Sequence, residues 1–412
     1  MRSRLEGVSY APRLPFVGSL IHLQTARKDL LLDAADALGD TFGLDLGREQ
    51  VLVVGHPADA ARVLEERPDA YPDKGDATGF RRSSVPFLGG GLSTWNEMDN
   101  EWRRRRTGMA RVFRSRSPLS DTSFTLEDAT VSQIRATLER EIVIDLAAAL
   151  LGQRPDGVEA DDVAEGLHRL AETFWSGKLP GPHPVLAART RRDVAALESI
   201  IQGWVLSAAG VHDSPLARHV SGLSQEQVRD EVASQLLSAG TLAVPMVWGL
   251  DLLARHPAVQ SRLRLALATG SDAAYVTYTM REVLRLCPST YWIQRRAARD
   301  NQLSTVRVPA GTRVIVHVPR VHRHPDYWSE PDAFRPERFG ESEWKRAWMP
   351  FGRGLRSCVA RSYCLGAITR VLGEVVKAHR IEPLGNAARL VPAFSLIARP
   401  APAFTLRPLQ PS

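Results

Sequence analysis

The feature that most constrains how this chain can fold is a ten-residue segment, residues 351–360, which reads F-G-R-G-L-R-S-C-V-A. Gly352 and Gly354 permit positive φ angles, so the segment predicts a tight turn just before Cys358. Apolar residues then recur at helical spacing over residues 359–379. The pattern places one cysteine between a glycine turn and the N-terminus of a helix.

This position favours a thiolate at Cys358. The N–H groups and the positive dipole end of a helix N-terminus stabilise an anion, and Arg353, Arg356 and Arg361 add positive charge nearby. Such a thiolate can be a nucleophile, a redox switch or a metal ligand. A lone cysteine is, however, more commonly a small buried side chain without chemistry. The cysteine by itself leaves these alternatives open.

The segment resembles the haem-ligand loop of the cytochrome P-450 enzymes, F-x-x-G-x-R-x-C-x-G. Phe351, Gly354, Arg356 and Cys358 occupy motif positions, and Ala360 replaces the last glycine. The resemblance implies a mainly α fold with a smaller β portion, with haem between a long central helix and the cysteine loop. It also implies that Cys358 is the axial ligand of haem b, because a thiolate pushes electron density onto iron and favours O–O cleavage.

Composition favours one large domain. Hydrophobic residues make up 44% of the 412-residue chain, and we find no Gly/Ser linker, low-complexity stretch or internal repeat. We therefore expect a single domain over residues 1–412. Its β-rich portion is expected mainly in residues 40–56, 291–318 and 390–408.

Cysteine usage and the N-terminal segment predict a cytoplasmic protein. Cys287, Cys358 and Cys364 have neither disulfide nor C-x-x-C spacing, which is typical of a reducing compartment. Residues 1–19 contain three arginines and two prolines and no apolar run, so we expect neither a signal peptide nor a membrane anchor.

The formal net charge is +7. Residues 103–106 are four consecutive arginines, but they lack the interleaved aromatic residues on which nucleic-acid bases stack. We interpret most of this charge as a solvated helix face and expect no nucleic-acid partner. An acidic ferredoxin is the partner that the resemblance suggests for this face.

Other residues of the chain resemble the family's haem-propionate contacts, and the resemblance implies that they bind the propionates. Trp102 and Arg106 are one helical turn apart and so share a face. Their indole N–H and guanidinium groups are suitable donors for a carboxylate. In the family, Arg295 and Arg356 would supply further propionate contacts.

A second set resembles the family's buried ion network. Glu282 and Arg285 form an E-x-x-R pair on one helix face, and Arg338 lies in the P-E-R-F segment 336–339. Such a network is costly unless fully satisfied, and we interpret it as fixing the geometry of the cysteine loop. His322 also resembles a family histidine, for which we expect a structural role.

Residues 232–250 contain no charge over 19 residues, which is long enough to span a membrane. Polar residues and Pro245 interrupt this stretch, so we expect a buried central helix with a kink near Pro245. In the family, the central helix carries A-G-x-[D/E]-T, whose acid and threonine help deliver protons to dioxygen. The ungapped register places Thr241 at the threonine and Gly240 at the acid.

A second register aligns Ala239 and Gly240 with the family's A-G. It leaves the helix two residues short, which would rotate everything beyond by about 200°. We prefer the ungapped register. The acid is absent in both.

The resemblance also predicts a substrate pocket. The long loop 74–95 would close over the substrate, and the turn 392–397 would line the pocket. The alternatives are a surface loop and simple hairpin packing. The candidate pocket residues are Phe80, Arg82, Phe87, Leu237, Tyr291, Trp292, Ile293 and Phe394.

The function implied is that of a soluble, bacterial-type monomer that activates dioxygen and hydroxylates a small apolar or aromatic molecule in specialised metabolism. Electrons would come from NAD(P)H through ferredoxin and ferredoxin reductase. The missing acid favours a second interpretation: oxidative coupling, cyclisation or peroxide-driven oxidation. A third is a haem-binding or sensing protein without turnover. The interpretation without haem is a helical protein with a structural Cys358.

Overall fold

The computed structural model describes most of the chain. Four candidate pocket residues, Phe80, Arg82, Phe87 and Phe394, lie outside the described residues. The residues not described are 1–4, 13–18, 20–29, 46–48, 73–88, 94, 96–97, 121–125, 127–128, 176–183, 208–213, 305, 342, 386–402 and 410–412.

The described residues form two compact units. The first contains described residues of Met1–Thr78 and Arg281–Cys358. The second contains those of Gly79–Met280, Val359–Ala388 and Ala401–Ser412. The single domain expected from the sequence stays a prediction.

Helices dominate, which confirms the predicted mainly α class. Their bounds are α1 (Leu30–Leu38), α2 (Pro57–Ala61), α3 (Asn100–Arg114), α4 (Val131–Leu151), α5 (Gly157–Trp175), α6 (Pro184–Ser207), α7 (Pro215–His219), α8 (Gln225–Leu236), α9 (Ala239–Arg255), α10 (Pro257–Thr269), α11 (Ala273–Leu286), α12 (Val318–Val321) and α13 (Arg361–Ala378).

The strands form small sheets. In the first unit, β1, β2, β6 and β3 are neighbours in that order, and β4 pairs with β5. In the second unit, β7 pairs with β8. The bounds are β1 (Thr41–Asp45), β2 (Gln50–Val54), β3 (Trp292–Arg296), β4 (Asn301–Leu303), β5 (Val306–Val308), β6 (Arg313–His317), β7 (His379–Pro383) and β8 (Phe404–Pro408).

The central strands of the first unit are buried on both faces. Val51 and Val53 pack with Phe42 on one face of β2, while Leu52 and Val54 pack into a second cluster on the other. β2 runs antiparallel to β1 and parallel to β6. Burial on both faces explains why β2 is a continuous apolar run and does not alternate with polar residues.

The second unit is built around α9. This helix packs against α4 on one side and α13 on another, and 14 of its 17 residues are buried. Among the described residues, one helical stretch, Gln225–Arg255, is long and apolar enough to cross a membrane, but 78% of its most apolar window is buried. The prediction of a buried central helix is therefore confirmed.

The predicted single helix is interrupted, however, between α8 and α9 at Leu237 and Ser238. The Ser238 hydroxyl and N–H both donate to the carbonyl oxygen of Gln235, at 2.5 and 3.0 Å. A serine side chain that competes for a backbone carbonyl disturbs the regular helical bonding. Helical structure continues through Pro245, so the interruption lies seven residues before the proline at which we expected the kink.

Candidate functional site

The cysteine loop is a compact turn that presents an exposed thiol. The Cys358 N–H donates to the Phe351 carbonyl at 2.8 Å, and the Ser357 N–H donates to the Gly354 carbonyl at 3.0 Å. Gly352 and Gly354 have φ angles of +67° and +68°, in the left-handed region that favours glycine. The side chain of Cys358 is exposed within the described residues.

Gly354 is required for a second reason, a close approach to the helical turn Arg62–Glu66. A Cβ atom at this position would collide with the backbone of Leu64. Beside it, Arg353 Nε donates to Glu65 at 3.0 Å. The loop is therefore fitted against this turn of the first unit at a position where no side chain can be added.

The structure brings Glu282, Arg285 and Arg338 together in the first unit. Glu282 Oε2 accepts from Arg285 Nε at 2.7 Å, and its Oε1 accepts from Arg338 Nε at 3.0 Å. All three are at most 3% exposed. Burial lowers the pKa of Arg285, an effect that Glu282 opposes. The remaining N–H groups of the two arginines donate to the carbonyls of His322, Ser329, Glu330, Pro331 and Ala333.

His322 connects this ion network to the chain that enters the cysteine loop. Its Nδ1 lies 3.0 Å from the Arg285 carbonyl oxygen, and its Nε2 accepts from the Met349 N–H at 2.9 Å. These partners assign the proton to Nδ1. Burial lowers the pKa of His322 to about 3, so the ring is neutral. This geometry supports the expected structural role.

Two candidate propionate contacts also lie in the first unit. Arg295, on β3, is 7% exposed, and its Nη1 donates to the Gln294 carbonyl at 2.8 Å. Arg356 is half-buried, and its Nη2 donates to the Pro72 carbonyl at 3.3 Å. Both guanidinium groups have N–H donors of the kind that bind carboxylates.

Of the candidate pocket residues, three lie at the start of β3 in the first unit. Tyr291 is buried, and Trp292 and Ile293 are half-buried. A Cβ atom on Gly352 would lie 3.5 Å from Cδ1 of Ile293. Ile293 therefore lies beside the cysteine loop, and its role as a pocket residue stays a prediction.

Trp102 and Arg106 lie together on α3 in the second unit. The Trp102 indole is buried, and the Arg106 guanidinium carbon lies 5.4 Å from its ring centroid. The backbone N–H of Trp102 donates to Oδ1 of Asp99 at 2.7 Å, and this bond caps the helix. The predicted pair thus shares one face of α3.

Gly240 and Thr241 lie in the first turn of α9. The Thr241 hydroxyl donates to the Ser238 carbonyl oxygen at 2.7 Å, and Leu237 lies half-buried in the interruption just before it. Ala360, the residue that departs from the family's glycine, is buried immediately before α13.

Sequence reasoning missed a buried carboxylate beside Gly240. Glu139, on α4, is 5% exposed, and a Cβ atom on Gly240 would lie 3.5 Å from its Oε1. Arg135 Nε donates to the same oxygen at 2.8 Å, and His168 Nδ1 lies 3.2 Å from Oε2. Glu139 lies in the charged first half of α4, near Arg140 and Glu141, so no local sequence pattern marks it as buried.

It also missed the anchor of the helix that follows Cys358. Asp145 is fully buried and accepts from Arg116, from the Leu119 N–H and from the hydroxyl of Tyr363 on α13. Burial and the neighbouring Asp145 raise the pKa of Tyr363. The hydroxyl therefore stays protonated and holds α13 to α4.

The donor set suits a haem with a thiolate ligand. The exposed Cys358 thiol offers a soft ligand for iron. Arg295 and Arg356 in the first unit, and Trp102 and Arg106 in the second, offer N–H donors for two carboxylates. The residues present therefore fit the expected cofactor.

Two bacterial relatives illustrate the similarity. A putative cytochrome P-450 137 of Mycobacterium tuberculosis is 36% identical over 165 residues, which cover 39% of this chain and 34% of that protein. The match thus spans about a third of the length of the mycobacterial protein. The cyclooctatin synthase of Streptomyces melanosporofaciens is 25% identical over 438 residues, which cover 94% of this chain and 93% of that protein.

The family comparison covers more of the sequence. The family model described as cytochrome P-450 matches residues 8–142 and 209–385, more than half of the chain. Both segments of the match contain predicted haem contacts, with Trp102 in the first and Cys358 in the second. The chain therefore belongs to the cytochrome P-450 family, which implies haem as its cofactor.

Proposed function

We propose that this protein is a haem-thiolate monooxygenase that activates dioxygen and hydroxylates a small apolar or aromatic molecule. The observation that carries the proposal is the exposed thiol of Cys358. His322 connects the chain that enters the Cys358 loop to the buried ion network of Glu282, Arg285 and Arg338. In this assignment Cys358 would supply the thiolate ligand for the iron of haem b. A haem with a thiolate ligand supplies O–O cleavage and oxygen transfer when it is bound.

The chain's own residues have separate tasks. Trp102, Arg106, Arg295 and Arg356 would hold the cofactor by donating hydrogen bonds to its propionate groups. Thr241 holds a water molecule and passes protons through its hydroxyl. The candidate pocket residues that the structure describes, Tyr291, Trp292, Ile293 and Leu237, are apolar or aromatic, which is the reason to expect a substrate of that character.

The family assignment supports a proposal for the partners and the setting. We propose NAD(P)H as the electron source, ferredoxin and ferredoxin reductase as carriers, and a cytoplasmic monomer. A role in specialised metabolism is supported by similarity to a protein named cyclooctatin synthase.

A second candidate function rests on Gly240, because this residue cannot supply the acid of the family motif. Oxidative coupling, cyclisation or peroxide-driven oxidation would need fewer delivered protons. Product formation with peroxide in place of NAD(P)H and ferredoxin would favour this candidate. A protein that binds haem but turns over no substrate from a broad library with a surrogate ferredoxin would be a sensor or carrier.

The reduced, carbon-monoxide-bound spectrum tests the ligand assignment. We expect the red-shifted Soret band of thiolate ligation in the natural protein and its loss in a Cys358→Ser variant, since an alcohol is not a thiolate donor. The Cys364→Ser variant is the matched control and should keep the band. A band that survives in Cys358→Ser would refute the proposal.

A further inference from the structure

The position that lacks an acid adjoins a carboxylate from another helix. Glu139 of α4 points its Oε1 at Gly240 of α9, 3.5 Å from where a Cβ atom would lie. The two residues are about one hundred positions apart in sequence, and both belong to the second unit. Packing of α4 on α9 therefore brings an acidic group to the place where the family motif would have one.

Two basic groups hold this carboxylate in place. Arg135 Nε donates to Oε1 at 2.8 Å, and His168 Nδ1 lies 3.2 Å from Oε2. Burial raises the pKa of Glu139, but His168 and Arg135 outweigh burial and bring the pKa below its usual value. Glu139 is therefore ionised at neutral pH, with one oxygen towards Gly240 and the other towards His168.

The same cluster opens to solvent. Glu139, Arg135 and His168 line a surface depression of about 370 Å³, together with exposed Asp161 and Glu165. The side chain of His168 is 29% exposed. Imidazole is the side chain best able to gain and lose a proton near neutral pH. The depression thus supplies a route by which a proton can reach a buried carboxylate.

We propose that His168 and Glu139 relay protons from solvent to the first turn of α9 and take the place of the acid that Gly240 lacks. This inference rests on the proposed function, because Thr241 must be the group that uses the protons. His168 takes up a proton from solvent and passes it to Oε2 of Glu139. The neutral carboxyl then rotates and passes this same proton to a water molecule at Gly240, within reach of the Thr241 hydroxyl, which leaves Glu139 ionised again.

The proposal explains why residue 240 has no acidic side chain. An aspartate there would place a second carboxylate next to Glu139, and two such groups cannot both ionise without cost. Gly240→Asp therefore adds a charge conflict and does not simply restore the family's acid. This consequence can be measured without turnover.

The first experiment compares thermal unfolding of Gly240→Asp with that of Gly240→Asn, which has nearly the same shape and no charge. At pH 7.5 we expect the midpoint of Gly240→Asp to be about 2 °C or more below that of Gly240→Asn. The gap should close towards pH 4, as carboxylates protonate. It should also close when Glu139→Gln is added to both variants.

Equal midpoints for the aspartate and asparagine variants at pH 7.5 would overturn the placement of Glu139 beside residue 240. A gap that persists in the Glu139→Gln background would do the same, because the conflict would then come from another group. The charged groups near Glu139 on the packed elements are Arg135, His168, Asp161 and Glu165.

The second experiment measures product formed per NAD(P)H consumed. We expect Glu139→Gln to lower this ratio about tenfold, with more peroxide released, and His168→Gln to lower it chiefly at low buffer concentration, where solvent supplies protons slowly. Glu141→Gln is the matched control, because Glu141 is a buried carboxylate of the same helix that pairs with Arg140 and Arg154. Equal ratios for Glu139→Gln and Glu141→Gln would overturn the relay.

The two experiments separate this proposal from the proposed function. If the natural protein has no thiolate Soret band, the haem-thiolate assignment is refuted, and the relay is refuted with it. The unfolding comparison still decides whether Glu139 lies beside residue 240. A normal band with unchanged product ratios refutes only the relay.

Discussion

Glu282 is a single buried carboxylate that compensates the charge of two buried arginines. Its two oxygens accept from Arg285 and Arg338, and solvent reaches none of the three side chains to a significant degree. Removing one partner of a buried ion set leaves the others charged and uncompensated. Such a residue is therefore far less tolerant of substitution than an exposed one.

We predict that Glu282→Gln lowers the free energy of unfolding by about 3–5 kcal/mol, since two buried guanidinium groups lose their counter-charge. The control is Glu341→Gln, which removes an exposed partner of Arg335 and should cost at most about 1 kcal/mol. Urea unfolding measures both variants. Similar losses for the two would show that Glu282 does not compensate a buried charge.

His322 predicts a pH dependence of stability. Its folded-state pKa of about 3 lies below the value of about 6.5 expected in an unfolded chain. Between these values the unfolded chain binds the extra proton. The stability that neutral His322 contributes is therefore complete above about pH 6.5 and is lost as the pH falls towards 3.

Between pH 6 and pH 4, we expect the free energy of unfolding to fall less steeply in His322→Gln than in the natural protein. The difference in slope should correspond to up to about one proton per molecule. Urea unfolding at several pH values gives this slope. His219→Gln, which changes an exposed histidine of α7, is the control and should retain the slope of the natural protein. An unchanged slope in His322→Gln would contradict the assignment of a neutral buried ring.

The conformation of the cysteine loop depends on the backbone at Gly354. Gly354 has a positive φ and its Cα faces the backbone of Leu64, so it combines a conformational and a steric requirement. Gly311, also in the first unit, has a φ of +81° but no atom near a Cβ position. The two glycines therefore allow the two requirements to be separated.

We predict that Gly311→Ala lowers stability by about 1–2 kcal/mol, the cost of a left-handed alanine. Gly354→Ala should cost more and should also reduce haem content, because the loop must move away from the turn Arg62–Glu66. Urea unfolding and haem absorbance per protein measure the two effects. Equal haem content in both variants would mean that the close approach at Gly354 does not position Cys358.

The four consecutive arginines of helix α3 lie in different environments because the helix turns between them. Successive side chains point about 100° apart, so four consecutive arginines cannot share one environment. Arg103 and Arg104 are exposed, Arg105 is buried against Glu231 at 3.3 Å, and Arg106 lies over Trp102. The run therefore contributes to solvent, core and candidate site at once. Most arginines of this region are exposed, as the sequence predicted, and Arg105 is the buried exception.

For the whole molecule, the excess of positive charge determines which partners are favoured. The net charge is +7, and Arg103, Arg104, Arg111 and Arg114 are exposed on α3. Charge of one sign on an exposed face steers an oppositely charged protein and weakens in salt. This is the surface on which we propose that an acidic ferredoxin docks.

We predict that the rate of electron transfer from an acidic ferredoxin falls as ionic strength rises, because the attraction is screened beyond about 10 Å at 0.1 M salt. Stopped-flow reduction measures it. Arg103→Glu combined with Arg111→Glu should slow reduction about tenfold at low salt. Arg407→Glu, on β8, makes a similar charge change elsewhere and is the control. A salt-independent rate would exclude electrostatic docking.

The sequence by itself determined the local structure and the family. The apolar spacing over residues 359–379 predicts a helix, which the structure shows as α13, and the uncharged residues 232–250 predict the buried helix α9. Strands β1 and β2 lie within the β-rich portion predicted at residues 40–56. These features depend on residues a few positions apart, so periodicity, caps and turn residues are sufficient to predict them.

Only the tertiary structure decided which distant groups meet. It placed Glu139 beside Gly240, His322 between Arg285 and Met349, and the helix interruption at Leu237 and Ser238. No spacing rule links residues a hundred positions apart, because their contact depends on how whole helices pack and on which polar groups burial leaves to be paired. The sequence was sufficient to predict a role for Cys358, whereas the carboxylate that we propose for Gly240 comes from the packing of α4 on α9.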